Sequence, residues 1–178
     1  MPGIDESIEF RPIRIGILTV SDSRTKETDD SGATLIRLLT ESGHENAAYE
    51  VVTDDVPVIR STVESWVKDE NIDAIITTGG TGLTGRDITP EAVKPLFDKE
   101  IDGFSTVFHM VSYETIGTST LQSRAFAGIS AQTYIFCIPG SPGACKDAWK
   151  GIFKYQLDNR HKPCNFVNII PRLNEHKK

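Results

Sequence analysis

Short apolar runs alternate with stripes at helical spacing along most of this chain. Arg14–Val20 (RIGILTV) is a run of mostly branched apolar residues, the pattern of a strand buried on both faces. Ser21-Asp22-Ser23 then supplies turn chemistry. Asp30 or Ser31 is placed to cap a helix near residues 32–42, with Leu35, Leu38 and Leu39 on one face and Gly43 at its end. Residues 47–53 (AAYEVVT) predict a second strand, and Val56, Ile59, Val63, Trp66 and Val67 form a helical stripe after Asp54-Asp55. Residues 73–78 (DAIITT) predict a third strand that runs straight into Gly79-Gly80-Thr81-Gly82. A further helix is expected from Thr89-Pro90-Glu91, with Thr89 as N-cap and Pro90 at the first helical position. Phe104, Val107, Phe108 and Val111 form another stripe. Residues 134–138 (YIFCI) predict a strand entering Pro139-Gly140-Ser141-Pro142-Gly143, and a long amphipathic helix follows with Trp149, Ile152, Phe153 and Leu157.

Strands alternating with helices at this spacing predict an α/β fold, with a mostly parallel sheet covered by helices on both faces. Residues 1–13 read as a flexible arm or an added edge segment, residues 14–166 as one domain, and residues 167–178 as an irregular tail. The length of 178 residues suits a single domain. With 38% hydrophobic and 25% charged residues the composition is that of a folded protein, not a disordered one. Net charge of −6 argues against a nucleic-acid-binding surface, so any phosphate must be held locally. Cys137, Cys145 and Cys164 are too few and too scattered for a disulfide framework or a zinc site, and read as reduced thiols. The start Met1-Pro2-Gly3-Ile4-Asp5-Glu6 has neither a basic head nor an apolar stretch, and no apolar run approaches the ~20 residues of a membrane helix. A cytoplasmic protein without membrane contact is expected.

Open parallel sheets bind ligands beyond the carboxyl ends of their strands. That rule selects Ser21-Asp22, residues 78–87 and residues 139–142, with Asp54 expected beside them. In the glycine loop, Gly79, Gly80 and Gly82 allow backbone N–H groups to approach an anion, and Thr78 and Thr81 add hydroxyls. A plain strand-to-helix turn needs fewer glycines and threonines than these six residues carry. Residues 80–85 also match G-x-G-x-x-G, but they follow the third strand and precede no immediate helix, so a nicotinamide or flavin site has little support. A Walker A loop is excluded, because no Gly-Lys-Ser/Thr follows.

Asp87 changes what this loop can do. A carboxylate beside bound phosphate repels it unless a cation lies between, and Mg²⁺ is commonly held by one or two carboxylates plus substrate phosphates. Asp54 is either the second carboxylate or the cap of the helix that starts near Val56; Asp55 reads as a surface residue and Arg86 as a solvated charge. His44, His109, His161 and His176 adjoin no candidate serine or cysteine nucleophile. Positioning and charge neutralisation, the means of phosphoryl and nucleotidyl transfer, are favoured over covalent catalysis.

Thr19-Val20-Ser21-Asp22, Thr78-Gly79-Gly80-Thr81-Gly82, Arg86-Asp87-Ile88-Thr89-Pro90-Glu91-Ala92 and Pro139-Gly140-Ser141 together resemble the MoaB/MogA family of molybdenum cofactor biosynthesis proteins. Residues 114–125 (ETIGTSTLQSRA) and Lys162-Pro163-Cys164-Asn165-Phe166 resemble its MoaB branch, and the likeness runs from about Arg14 to Phe166. The resemblance implies a three-layer molybdopterin-binding fold and Mg²⁺-dependent adenylylation of molybdopterin by ATP, with a non-catalytic molybdopterin-binding protein as the alternative. It matches Asp54 and Asp87 to the family's two catalytic, metal-holding aspartates, the former by ungapped alignment against Asp55. It matches Ser123 to a serine near the pterin phosphate, with Arg124 as a phosphate contact beside it. Ser21, Asp22, Thr78 to Gly82, Pro139, Gly140 and Ser141 complete the expected binding set. It also implies a homotrimer or a hexamer made of two trimers. Met110, Tyr113 and Ile116 add apolar surface beside the 104–111 stripe, which an oligomer interface would bury.

Overall fold

The computed structural model describes residues 2–175. In chain order its elements are β1 (Gly3–Ile4), β2 (Arg14–Val20), α1 (Asp30–Glu41), β3 (Glu45–Val52), α2 (Val56–Val67), β4 (Ala74–Thr78), α3 (Thr89–Val93), β5 (Lys99–Glu100) and α4 (Asp102–Ile116). A 3₁₀ segment (Gly117–Gln122) leads to β6 (Phe126–Ser130) and β7 (Thr133–Ile138). Then α5 (Pro142–Ala148) continues through a π-turn (Trp149–Phe153) into α6 (Lys154–Gln156), followed by β8 (His161–Lys162) and a 3₁₀ segment (Val167–Arg172).

The main sheet has the order β3-β2-β4-β7-β6-β5. Its first four strands are parallel, and β6 and β5 join antiparallel to β7 and β6. Alternate residues of the central strands face opposite layers. Ile15, Ile17, Ala74, Ile76, Tyr134 and Phe136 pack under α1, α4 and α5 through Leu35, Leu39, Phe104, Phe108, Cys145 and Ala148. Leu18, Val20, Ile75, Ile135 and Cys137 pack under α2 and α3 through Ile59, Val63, Ala92 and Val93. This is the expected three-layer α/β arrangement, and both faces of the central strands are dry.

Several local expectations are corrected. The cap of α1 is Asp29, not Asp30 or Ser31: its Oδ1 accepts Gly32 N–H at 3.0 Å, and its Oδ2 accepts the hydroxyls of Thr19 at 2.6 Å and Tyr49 at 2.8 Å. One buried carboxylate thus ties the helix start to two strands. Thr89 does not cap α3; its hydroxyl donates to the Gly79 carbonyl at 2.9 Å. In α4 the buried stripe is Phe104, Phe108 and Ser112, while Val107 is turned outward at 43% exposure.

Residues 2–13 are a strap, not a free arm. β1 pairs antiparallel with β8 away from the main sheet. Arg11 Nη2 donates to the Val167 carbonyl at 2.7 Å, Asn159 Nδ2 donates to the Glu9 carbonyl at 2.9 Å, and Ile13 is buried. The tail begins as an ordered 3₁₀ segment with Val167 in the core. His176 lies outside the described residues.

Candidate functional site

Thr19, Thr78 and Ile138 are cross-strand partners, and Val20 pairs with Val52. The four parallel strands therefore end at one level, and the loops after them open on one edge. There they surround a cleft of about 740 Å³. Ser21, Asp54, Gly79 to Gly82, Asp87, Ser123, Pro139, Gly140 and Ser141 all line it. Asp22, Thr78 and Arg124, also expected there, do not.

The glycine loop is shaped by backbone needs. Gly79 (φ +108°) and Gly80 (φ +63°) occupy conformations that L side chains rarely adopt. A Cβ on Gly79 would lie 2.1 Å from the Val20 carbonyl oxygen, so β2 and the loop touch backbone to backbone. The two candidate carboxylates flank this loop. Asp54 Oδ1 lies 3.2 Å from where a Gly80 Cβ would be, and Asp87 Oδ2 lies 2.7 Å from the same point on Gly82.

Asp54 reaches the cleft because its neighbour takes the capping role. Asp55 has extended backbone and accepts Val58 N–H at 3.0 Å, so it, not Asp54, caps α2. The ambiguity between the two aspartates is resolved by that hydrogen bond. Burial, reinforced by the nearby Asp22, pushes the Asp54 carboxyl above the usual range. Burial acts the same way on Asp87, but the Thr84 hydroxyl (2.7 Å), Thr84 N–H (2.9 Å) and Gly82 N–H outweigh it and hold that carboxyl low. Among the described residues no three His, Cys, Asp or Glu side chains gather round one point. The pair suits a hard cation that takes its remaining ligands from water and phosphate, as Mg²⁺ does.

Three residues expected at the site are bonded within the protein. The Thr78 hydroxyl donates to the Pro139 carbonyl at 3.0 Å and joins two site loops. Asp22 accepts Asp54 N–H at 3.0 Å and is ion-paired with Arg86, so Arg86 is not a free surface charge. Arg124 donates to the carbonyls of Gly82 at 2.8 Å and Asp87 at 2.6 Å and pairs with Glu91. Its guanidinium braces the loop from behind, where the expectation was a phosphate contact.

The hydroxyls of Ser123 and Ser141 accept Ala125 N–H at 3.2 Å and Ala144 N–H at 3.1 Å. Each oxygen is thereby fixed while its proton stays available. Among the described residues the buried Thr81 and Thr120 hydroxyls have no hydrogen-bond partner, an arrangement that costs about 1–3 kcal/mol per group unless a ligand or water fills it. Thr120, Ser119, Gln122, Lys146 and Lys150 line the cleft but were not singled out in the sequence. Their signal was position: 117–122 follows a helix that ends in Gly117, and Lys146 and Lys150 lie four apart after a site loop. The thiols take no part, since burial pushes Cys137 up to about 12 and Cys145 to about 11.

Residues 16–159 match the family described as a probable molybdopterin binding domain. The chain belongs to the MoaB/MogA family of molybdenum cofactor biosynthesis proteins. It is 49% identical over 160 residues to molybdenum cofactor biosynthesis protein B of Escherichia coli K12, covering 90% of this chain and 94% of that one. The protein of the same name from Bacillus subtilis is 47% identical over 135 residues, 75% of this chain and 79% of that one. Among solved structures, a molybdenum cofactor biosynthesis protein B superposes with a TM-score of 0.83 at 40% identity, over 94% of this chain and 98% of that one. The tungsten cofactor synthesizing protein MoaB of Pyrococcus furiosus gives 0.74 at 37% identity, over 83% and 93%. The family match runs from β2 into the segment after α6, and so contains every residue of the cleft. Among the described residues no helix is long and apolar enough to cross a membrane.

Proposed function

We propose that this family member acts in molybdenum cofactor biosynthesis by adenylylating molybdopterin with ATP. A terminal phosphate oxygen of molybdopterin bonds to the α-phosphorus of ATP. The bond from that phosphorus to its bridging oxygen breaks, and pyrophosphate leaves with the electron pair. Adenylylated molybdopterin remains. The observation that carries this reading is the pair Asp54 and Asp87 beside Gly80 and Gly82. A site that only binds an anion has no use for two carboxylates beside its phosphate loop. Mg²⁺ held by that pair would supply the charge neutralisation that brings triphosphate and carboxylates together. The loop N–H groups orient phosphate, the Thr81 hydroxyl offers a donor without a protein partner, and Ser123 presents a fixed hydroxyl to the second substrate. The exposed residues Met110 (65%), Tyr113 (58%) and Ile116 (53%) on α4, with Leu121 (74%), support a homo-oligomer, trimer or hexamer.

The test is incubation with molybdopterin, ATP and Mg²⁺, following adenylylated product and pyrophosphate. Asp87→Asn and Asp54→Asn are expected to abolish turnover while keeping the fold. Asp55→Ala, at the cap, is expected to keep turnover and lose about 1 kcal/mol of stability. Normal turnover by Asp87→Asn overturns the mechanism, and pterin binding without product from the wild type replaces it with a carrier role.

A further inference from the structure

Most of the charged side chains around the cleft divide by layer, with Arg86 on the first side and Asp147 on the second as the exceptions. Asp54 and Asp87 come from the segments entering α2 and α3, on one side of the sheet. Lys146 and Lys150 come from α5 and the π-turn, on the other side. The remaining nearby cations are engaged: Arg86 with Asp22, and Arg124 with Glu91. Asp147, between the lysines, accepts the Thr115 hydroxyl at 2.7 Å and draws α4 against α5. Among the described residues neither Lys146 nor Lys150 has an ion-pair partner, and both are exposed. Within this cleft they are the unpaired positive charges, in a chain of net charge −6. On the same cleft, the Thr120 hydroxyl is buried with no partner.

This asymmetry separates two kinds of phosphate. A phosphate that arrives with a divalent cation suits the aspartate side, where the cation screens one anion from the other. A phosphate that arrives without a metal is repelled there and needs cations supplied by the protein, which only the lysine side offers. We infer that Lys146 and Lys150, with the Thr120 hydroxyl, form the subsite for a metal-free phosphate monoester, the phosphate of the second substrate that becomes the nucleophile. The assignment rests on the two-substrate reading above. It predicts selection for a phosphorylated acceptor over the same acceptor ending in a free alcohol.

The experiment is calorimetric titration of the full chain with three probes. These are 6-hydroxymethylpterin monophosphate in EDTA, unphosphorylated 6-hydroxymethylpterin in EDTA, and ATP with Mg²⁺. The double variant K146A/K150A is expected to bind the monophosphate at least about tenfold more weakly, a loss of about 1.4 kcal/mol or more. It should leave the unphosphorylated pterin unchanged and MgATP within about threefold. K146R/K150R should restore monophosphate binding, because charge and not shape is required. D54N/D87N should show the opposite pattern, losing MgATP and keeping the monophosphate. Unchanged monophosphate affinity in K146A/K150A overturns the assignment. Loss of MgATP alone also overturns it and gives the lysines to the nucleotide's own phosphates. Wild-type protein that binds none of the probes overturns the two-substrate reading itself, a result visible before any variant is made.

Discussion

Arg124 offers a sharp test, because two roles for one side chain predict opposite results. As a ligand contact, its charge would matter and lysine would substitute. As a brace, its fork geometry would matter and lysine would not. The bonds to Gly82 O and Asp87 O span the loop that carries Asp87, and the ion pair with Glu91 anchors the fork to α3. Hydrogen bonds from a charged donor contribute about 1.5–3 kcal/mol each when buried, and about a third of this side chain is solvent-accessible. Discounting for solvent leaves roughly 1 kcal/mol for each carbonyl, and the exposed Glu91 pair adds less than about 1 kcal/mol. Arg124→Gln should therefore lose about 2–3 kcal/mol, which for a chain of this size lowers the melting temperature by roughly 5–10 °C.

Arg124→Lys keeps the charge but places one ammonium where three acceptors diverge. It should recover less than half of that loss, leaving a drop of roughly 3–6 °C. Scanning calorimetry measures both variants. Hydrogen exchange adds a local readout, since Arg124 N–H is bonded to Thr81 O at 2.8 Å and Asp87 N–H to Thr84 O at 3.1 Å. Both amides should exchange faster in either variant. An Arg124→Lys protein that melts within a degree of wild type, beside an Arg124→Gln protein that binds phosphate ligands more weakly, would refute the brace and return Arg124 to the ligand.

The remaining expectations concern stability and assembly. His44 is packed between Phe10 and Trp149 and accepts Ile13 N–H at 3.3 Å; burial outweighs the attraction of Asp158 and lowers its pKa from 6.5 to about 4. The unfolded chain takes up this proton near pH 6.5 and the folded chain refuses it, so stability is full above pH 6.5 and falls as pH drops toward about 4. The total is about 3 kcal/mol. Urea denaturation at stepped pH should show this slope in wild type and a flatter one in His44→Gln between pH 6.5 and 5; parallel curves refute it. Met110→Glu places a charge on the exposed apolar face of α4 and should shift the proposed trimer or hexamer toward monomer in sedimentation velocity. A monomeric wild type at micromolar concentration contradicts that interface.

The three inner parallel strands and the loops at their ends were legible because two-sided burial demands unbroken apolar runs, whereas the edge strand β3 has no buried residue. Glycine and proline then mark where those runs stop. The antiparallel extension was not legible. β6 reads Phe-Ala-Gly-Ile-Ser, and its Gly128 is required by the Phe97 ring, which would lie 2.2 Å from a Cβ there. A strand whose central side chain is supplied by a distant phenylalanine leaves no local pattern. The strap of residues 2–13 was hidden for a related reason: β1 and β8 pair over two residues each, and its other ties are scattered single contacts, among them backbone hydrogen bonds to Asn159, Arg160 and His44, the Arg11 guanidinium on the Val167 carbonyl and the Phe10 ring against His44. Within the site, Asp54 and Asp55 are indistinguishable by type. The extended backbone of Asp55 and its bond to Val58 N–H separate them.

The polar residues beside the loop that bond within the protein share one cause, and it points to the working surface. Asp22, Thr78, Thr89 and Arg124 are the right chemical types beside the right loop, yet each is engaged with the protein's own backbone or with a neighbouring charge. A loop with two positive-φ glycines and carbonyls turned away from the sheet needs such partners, because those carbonyls have no strand to pair with. A polar residue near a phosphate loop therefore has two competing employers, and only an account of its hydrogen bonds decides between them. Removing the engaged groups leaves Asp54 and Asp87 on one wall and Lys146, Lys150 and the Thr120 hydroxyl on the other, with the unpartnered Thr81 hydroxyl on the glycine loop. Asp87 belongs to this set although Thr84 bonds one of its oxygens, since a carboxylate so held still presents the other. What remains is acidic from one layer and, with two lysines to the single carboxylate of Asp147, net basic from the other. That polarity is what a reaction between a metal-bound triphosphate and a metal-free phosphate requires, and neither a simple anion cradle nor a dinucleotide site would need both walls.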